Sequence, residues 1–167
     1  SGQMHGMVAL DKDDQVVRRA ILWNDQRTGK QCEEITAAAG GLNGLLSFTN
    51  NQMLTGFTGG KILWMKQNEP ENYAKTVRII NPKDYIRFRL SGEKITEVSD
   101  ASGTGFFDVR TRSWSTALLG KLGIDPALFA PVVESTDDAG RVSEEAAAFT
   151  GLPAGTVISG GGGDAVI

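Results

Sequence analysis

The sequence predicts a mixed α/β domain in which a mixed sheet is flanked by helices. Two patterns lead to this fold class: short β-rich apolar runs alternate with segments that carry helix start and stop signals, and no segment repeats internally. The third observation is size, because 167 residues with 40% hydrophobic and 22% charged side chains suffice for one buried core. A solenoid, a coiled coil and a disordered chain are therefore disfavoured.

The first third of the chain contains one predicted hairpin and one predicted helix. In order, we expect strands at 7–10 and 16–23 around a polar turn, a helix from Asn24 or Asp25 to 39, and a loop at 40–56 with one short helix. Asn24 and Asp25 suit a helix cap, and Gly40-Gly41 is a helix stop. Cys32 and Ile35 would share one face of this helix.

The remaining elements follow from caps, prolines and glycines. We expect, in order, helices at 57–68 and 71–75, a strand at 77–80, helices at 82–91, 115–122 and 126–129, a strand at 141–142, a helix at 143–150 and a strand at 156–159. The clearest of these is the helix at 82–91. Asn81-Pro82 places proline at the first helical position, and Gly92 follows the last turn as a C-cap.

Charge and composition restrict the class of ligand. Seventeen basic and twenty acidic side chains give a net charge of -3, so the basic surface of a nucleic-acid-binding protein is missing. No apolar run approaches the length of a membrane span. A single cysteine, Cys32, and a single histidine, His5, rule out a Cys/His zinc site and leave any other metal site unknown. We therefore expect a cytoplasmic protein whose partner is a small molecule.

The most specific local pattern is a buried strand that runs into four glycines and then Asp164. Glycine lets the backbone approach a ligand closely, so Asp164 could serve as a general base beside that ligand. Alternatively, Asp164 caps a following helix. No Gly-Lys-Ser/Thr follows, which excludes a Walker loop, and Ala165 replaces the third glycine of a dinucleotide fingerprint. The pattern thus disfavours a Rossmann dehydrogenase.

Two further segments carry candidate ligand-binding residues. His5 lies next to a glycine at the start of the first strand, where its side chain can reach a cleft or can be merely structural. Trp23 precedes Asn24 and Asp25 and joins an apolar face to hydrogen-bonding groups, a combination suited to a sugar or polyol. The alternative for Trp23 is an ordinary core tryptophan with a helix cap behind it.

Taken together, these segments resemble the FGGY family of carbohydrate kinases over essentially all 167 residues. Residues 56–68, GFTGGKILWMKQN, resemble the first signature of that family. The other matching segments, in the right order, are SGQMHG at 1–6, ILWNDQRT at 21–28, PKDY at 82–85, SDASGT at 99–104 and the glycine run before Asp164.

The resemblance implies a ribonuclease H-like, actin-like fold and an enzyme that uses ATP and Mg²⁺ to phosphorylate a sugar hydroxyl. It assigns Asp164 as catalytic base and Met4, His5 and Trp23 as sugar contacts. Asn24 and Asp25 are neighbouring sugar-binding candidates, and Gly162 and Gly163 are candidates for contact with the cofactor. The Gln-Met-His-Gly segment is similar to the family members that act on D-xylulose, more than to those for glycerol or gluconate.

The resemblance also has departures. The Asp-x-Gly-Thr hairpin that the family uses for Mg²⁺ and ATP phosphates is missing, and Ala165 stands where many relatives have an amide side chain. We therefore expect an internal, incomplete fragment: 1–163 as the N-terminal sugar-binding domain and 164–167 as the start of the ATP-binding domain or the connection to it. Open alternatives are a sister kinase for another ketose or polyol, or a non-catalytic sugar-binding fragment, and a homodimer is left open as the assembly.

Overall fold

The computed structural model describes residues 1–166, which form a mixed α/β domain. Its helices are α1 (Gly29–Ala38), α2 (Leu42–Thr49), α3 (Thr58–Asn68), α4 (Pro70–Lys75), α5 (Pro82–Ser91), α6 (Val98–Ser102), α7 (Thr116–Lys121) and α8 (Glu144–Thr150), with a 3₁₀ turn at Pro126–Leu128. Its strands are β1 (Val8–Leu10), β2 (Arg78–Ile80), β3 (Thr96–Glu97), β4 (Phe107–Asp108), β5 (Ser113–Trp114), β6 (Val132–Val133), β7 (Asp138–Arg141) and β8 (Val157–Ser159). Strands and helices alternate as the sequence predicts.

The strands pair in four two-stranded sheets, which corrects the prediction of one mixed sheet. Three pairs are antiparallel, namely β1 with β2, β4 with β5 and β7 with β8, whereas β3 and β6 are parallel. Isolated bridges extend the β1–β2 pair, because Met7 pairs with Ile21 and Ile79 pairs with Phe129. Strands of two to four residues are too short to form a continuous sheet, so the central layer is a series of local pairings.

The predicted N-terminal hairpin is present, although its second half is not a continuous strand. Leu10 pairs with Val16, and Met7 pairs with Ile21, both antiparallel. Between these two bridges the chain bends, and the Arg18 guanidinium binds Glu69 at 2.8 Å. The pairing is therefore interrupted where Arg18 leaves the hairpin for the end of α3.

Helix α1 begins at Gly29, four residues later than Asp25 as predicted. The Asp25 carboxylate accepts the backbone N–H of Arg27 at 3.0 Å and also binds the Arg27 side chain, so it caps a local turn and not the helix. Predictions for α3 and α5 are confirmed, including the left-handed glycine Gly92 (φ 81°) after α5. The expected short helix within 40–56 is α2.

The main hydrophobic core lies between α1, α3 and the β1–β2 pair. Its fully buried members include Ile35, Ile62 and Met65, and Cys32 shares the buried face of α1 with Ile35 as predicted. A Cβ at Gly60 would lie 3.0 Å from the Cys32 sulfur, so glycine in α3 allows the two helices to pack closely. Among the described helices, none combines the length and the apolar character needed to cross a bilayer.

The two ends of the described chain meet. Gly2 and Gly163 form a parallel bridge, so the segment that follows β8 runs beside the segment that precedes β1. Residues 164–166 form a turn, and Ile167, the last residue of the expected segment 164–167, lies outside the described residues. This pairing sets the geometry of the candidate site.

Candidate functional site

Asp164 lies beside the segment that carries Met4 and His5. Its backbone N–H donates to the Gly2 carbonyl at 2.9 Å, and its Oδ1 accepts the backbone N–H of Met4 at 3.2 Å. The residues are 160 positions apart in sequence, so the bridge between the chain ends brings them together. The Asp164 carboxylate is exposed and available to a ligand.

Met4 is buried and packs against the glycine run. It is 7% exposed, and a Cβ at Gly163 would lie 2.8 Å from its sulfur. Gly162 and Gly163 are both buried, and the Gly163 N–H donates to the Ser99 hydroxyl at 3.3 Å. Glycine is therefore required at 163 by the Met4 side chain of the same chain.

His5 is held in an unusual backbone conformation with a defined ring orientation. Its φ is 66°, in the left-handed region that L side chains rarely adopt. The ring stacks on Phe57 with centroids 4.8 Å apart, and Nδ1 lies 3.0 Å from the Gly103 carbonyl oxygen. A strained residue held by several contacts is typical of a functional site.

The protonation of His5 suits a hydrogen-bond acceptor. Burial lowers the pKa of His5 below its usual 6.5, and the charge of Lys61 lowers it further, while the Gly103 carbonyl and Asp164 act in the opposite direction. The ring is therefore neutral at pH 7. Because a carbonyl can only accept, the single ring proton lies on Nδ1, and Nε2 is left as an acceptor for a ligand hydroxyl.

Lys61 connects His5 to the loop that precedes α3. This fully buried ammonium donates to the carbonyls of His5 and Phe57 at 3.0 Å each, to Thr55 at 3.4 Å and to Gly56. Burial lowers the pKa of Lys61 to about 8, and the nearby Asp25 charge partly offsets this effect. One side chain thus fixes the strand end at His5 and the 55–57 loop together.

Trp23, Asn24 and Asp25 lie on the turn before α1. The Trp23 side chain is 54% exposed, which excludes the core alternative, and its carbonyl lies close to Gly56, where a Cβ would be 3.2 Å away. Asn24 is exposed, whereas Asp25 forms an ion pair with Arg27 at 2.6 Å that lowers the Asp25 pKa. Within residues 1–166, no hydrogen bond joins this turn to Met4, His5 or Asp164, and the link runs through the 55–57 loop and Lys61.

Sequence reasoning missed two partners of His5. Phe57 and Gly103 both lie inside segments that match the family pattern, at 56–68 and 99–104, but neither was assigned a role. A signal was present, since Gly103 ends a polar stretch and Phe57 precedes a predicted helix. Only the tertiary structure shows that the two segments meet at the histidine ring.

The described residues do not supply a Mg²⁺ site. No group of three or more His, Cys, Asp and Glu side chains within 1–166 has the geometry to hold a metal ion. The Mg²⁺ that the resemblance implies therefore has no ligand set in this part of the chain, and no step of the chemistry can be assigned to it here.

The alternating α/β architecture, with its exposed carboxylate, neutral histidine and exposed tryptophan, defines the class: a carbohydrate-kinase domain. The chain belongs to the FGGY family of carbohydrate kinases, because the description of that family's N-terminal domain matches residues 1–167. Kinases of this family use ATP.

Individual relatives agree with this membership. The xylulose kinase of Bacillus subtilis (strain 168) is 46% identical over 164 residues, which are 98% of this chain and 32% of that protein. The crystal structure of xylulose kinase from Rhodospirillum rubrum matches with a TM-score of 0.91 and 29% identity, over 98% of this chain and 34% of that one. Gluconate kinase from Lactobacillus acidophilus matches with a TM-score of 0.89 and 27% identity, over 98% and 33%. This chain thus spans about a third of the length of its relatives.

Proposed function

We propose that residues 1–163 are the sugar-binding domain of an ATP-dependent kinase that converts D-xylulose to D-xylulose 5-phosphate. Residues 164–167 would begin the ATP-binding domain or the connection to it. The observation that carries the proposal is the hydrogen bond between the Met4 N–H and Asp164 Oδ1, because it sets a carboxylate beside the Met4-His5 pair. The identity of 46% to a xylulose kinase supports this choice of sugar.

The proposed sugar contacts divide by chemistry. His5 accepts a hydroxyl hydrogen bond at Nε2, and Trp23 offers an exposed apolar face to the C–H side of the sugar. Asn24 and Asp25 extend the polar side of the same turn. Met4 contributes its backbone position and buried thioether, which define the floor beside Asp164.

Asp164 is the proposed general base. Phosphoryl transfer depends on positioning and charge stabilisation more than on covalent help, so a carboxylate that accepts the proton of the 5-hydroxyl supplies the acceptor side of the reaction. ATP supplies the transferred phosphoryl group. Gly162 and Gly163 are the proposed points of close approach to its phosphates, and the ligands of Mg²⁺ would come from outside this chain.

A substrate panel with the full-length protein tests the proposal. We expect ATP consumption with D-xylulose, and a reduction of kcat by about 10²- to 10⁴-fold in Asp164→Asn, as is typical for loss of a general base. Asp13→Asn, an exposed carboxylate on the hairpin turn, is the matched control and should leave kcat unchanged. An Asp164→Asn enzyme within a few-fold of the parent would contradict the assignment.

A sister substrate is the second candidate, since gluconate kinase matches this fold with a TM-score of 0.89. Glycerol, gluconate and ribulose in the same panel separate this candidate from D-xylulose. A non-catalytic, sugar-binding role for the isolated chain is the third. Calorimetry of the chain with D-xylulose and with ATP tests it, because a sugar-binding module should bind the first weakly and the second not at all.

A further inference from the structure

Five ionisable side chains are buried together beneath the glycine run. They are Lys83, Asp84 and Arg87 on α5, Glu97 at the end of β3 and Asp100 in α6. The Asp84 Oδ1 accepts from Lys83 at 2.7 Å and from Arg87 at 2.8 Å, and Lys83 also lies 3.3 Å from Glu97 and 3.7 Å from Asp100. We call this group the ionic cluster.

The ionic cluster contacts the first glycine of the run directly. Arg87 Nη1 donates to the Gly160 carbonyl at 2.7 Å, and Lys83 Nζ donates to the same oxygen at 3.3 Å. A Cβ at Gly160 would lie 2.6 Å from the Glu134 carbonyl and 3.2 Å from the Glu97 Cβ. The start of the run is therefore both hydrogen-bonded and closely packed.

The cluster also reaches the last glycine of the run through Glu97. The Glu97 carboxylate accepts from the hydroxyls of Ser99 and Ser135 at 2.9 Å each. The Ser99 hydroxyl in turn accepts the Gly163 N–H at 3.3 Å, and the Ser135 carbonyl accepts the Gly161 N–H at 2.9 Å. Three of the four glycines before Asp164 are thus held by the cluster or by its direct partners.

Stability alone does not account for five buried ionisable groups. Desolvation of buried charges opposes their mutual attraction, and well-packed apolar side chains of similar volume often give equal or greater stability. What an apolar replacement cannot provide is directional hydrogen bonding to one backbone carbonyl and one backbone amide. The specific effect of the cluster is therefore on the position of the glycine run.

We propose that Lys83 and Arg87 are positioning residues: they hold the Gly160 carbonyl, and the cluster thereby fixes the glycine run that carries Asp164. Asp164 is the next residue after the run, and its Oδ1 lies 3.2 Å from the Met4 N–H. A displacement of the run would move this carboxylate away from Met4. The catalytic part of the inference rests on the proposed function of Asp164, whereas the structural part does not.

Hydrogen exchange of the full-length protein tests the structural part without any ligand. In Arg87→Met we expect the amides of a peptide covering 157–166 to exchange at least about tenfold faster than in the parent, while a peptide covering β1 is unchanged. Arg89→Met, an exposed arginine on the same helix, is the matched control and should leave both peptides unchanged. Equal exchange in the parent and in Arg87→Met would overturn the inference.

Ser99→Ala provides a second test if Arg87→Met does not fold, because it removes one contact to the run without leaving a charge unpaired. Accelerated exchange confined to the 157–166 peptide, reversed in Ser99→Thr, supports the inference. Unchanged exchange in Ser99→Ala, or acceleration that Ser99→Thr does not reverse, contradicts it.

Kinetics of the same proteins test the catalytic part. We expect kcat to fall about 10- to 100-fold in Arg87→Met with the sugar KM within about threefold, because a misplacement near 1 Å costs about this much. Arg87→Lys should recover part of the loss. An unchanged kcat with accelerated exchange would overturn the catalytic role alone. A parent without activity on any sugar would instead contradict the proposed function, and the exchange data would still decide whether the cluster holds the run.

Discussion

Gly103→Ala should weaken sugar binding through His5. Gly103 follows α6 with φ -73° and ψ -3°, an ordinary helical conformation, so alanine causes no backbone strain there. The new Cβ would lie 2.6 Å from His5 Nδ1 and 2.8 Å from the Met4 methyl group. The Met4 methyl can move at low cost, whereas the His5 ring is confined by Phe57 on one face. The perturbation therefore acts mainly on the histidine.

The size of the effect follows from these contacts. Ordinary van der Waals separation is about 3.5 Å, so the ring must move by about 1 Å, which breaks its 3.0 Å hydrogen bond to the Gly103 carbonyl. Loss of that bond costs about 0.5–1.5 kcal/mol, and an off-rotamer ring costs about as much again. Together they amount to about 1–3 kcal/mol, which corresponds to an increase of about 5- to 150-fold in the sugar KM.

The assay is steady-state kinetics of the full-length enzyme, with His5→Ala and the double variant included. If Gly103→Ala acts through His5, it should raise KM in the parent but add little in the His5→Ala background. Gly120→Ala in α7 is the control, because its Cβ would have no atom within 4 Å. A KM within twofold of the parent, or effects of Gly103→Ala and His5→Ala that multiply fully, would refute the reasoning.

Two further predictions concern the glycine run and the ionic cluster. Gly163→Ala should lower kcat about tenfold or more, because its Cβ would lie 2.8 Å from the Met4 sulfur and push Met4 from Asp164; a kcat equal to that of Gly120→Ala would contradict this. Asp100→Asn should change the pH dependence of unfolding, since burial and the charge of Asp84 raise the Asp100 pKa from 3.8 to about 7. The folded state then binds more protons than the unfolded state between about pH 4 and 7, so Asp100 makes the free energy of unfolding fall as pH rises. The advantage of the parent over Asp100→Asn, measured by urea unfolding, should shrink by at most about 4 kcal/mol across this window, and a constant difference would exclude the raised pKa.

The structure confirms best the elements whose two ends are both marked in the sequence. Helix α5 was predicted with its observed bounds because Asn81-Pro82 and Gly92 act within a few residues of the helix itself. The start of α1 was wrong, since Asp25 has a competing partner in Arg27. Both residues have the right chemistry for their roles, and cap preference alone does not reveal which hydrogen bond forms.

Sheet pairing and the supports of the site depend on long-range contacts that local patterns do not contain. The β1–β2 pair joins Val8 to Ile80, and the ring of His5 meets the carbonyl of Gly103, 98 residues away. The identities of His5, Trp23 and Asp164 as candidates came from their chemistry and from resemblance. Their partners could not be found in this way, because a buried lysine or a backbone carbonyl has no distinctive local pattern.

The glycine run shows how the physical cause of a sequence pattern can differ from its first interpretation. Four glycines before a carboxylate indicate close approach of a ligand. In the structure, however, a Cβ at Gly160 would meet the Glu134 carbonyl at 2.6 Å, Gly161 has a φ of 76°, and a Cβ at Gly163 would meet Met4. The chain's own packing and conformation therefore already require glycine at three of the four positions. Such a run is a tightly held connection, and the exact placement of Asp164 that general-base catalysis needs follows from this packing and not from flexibility.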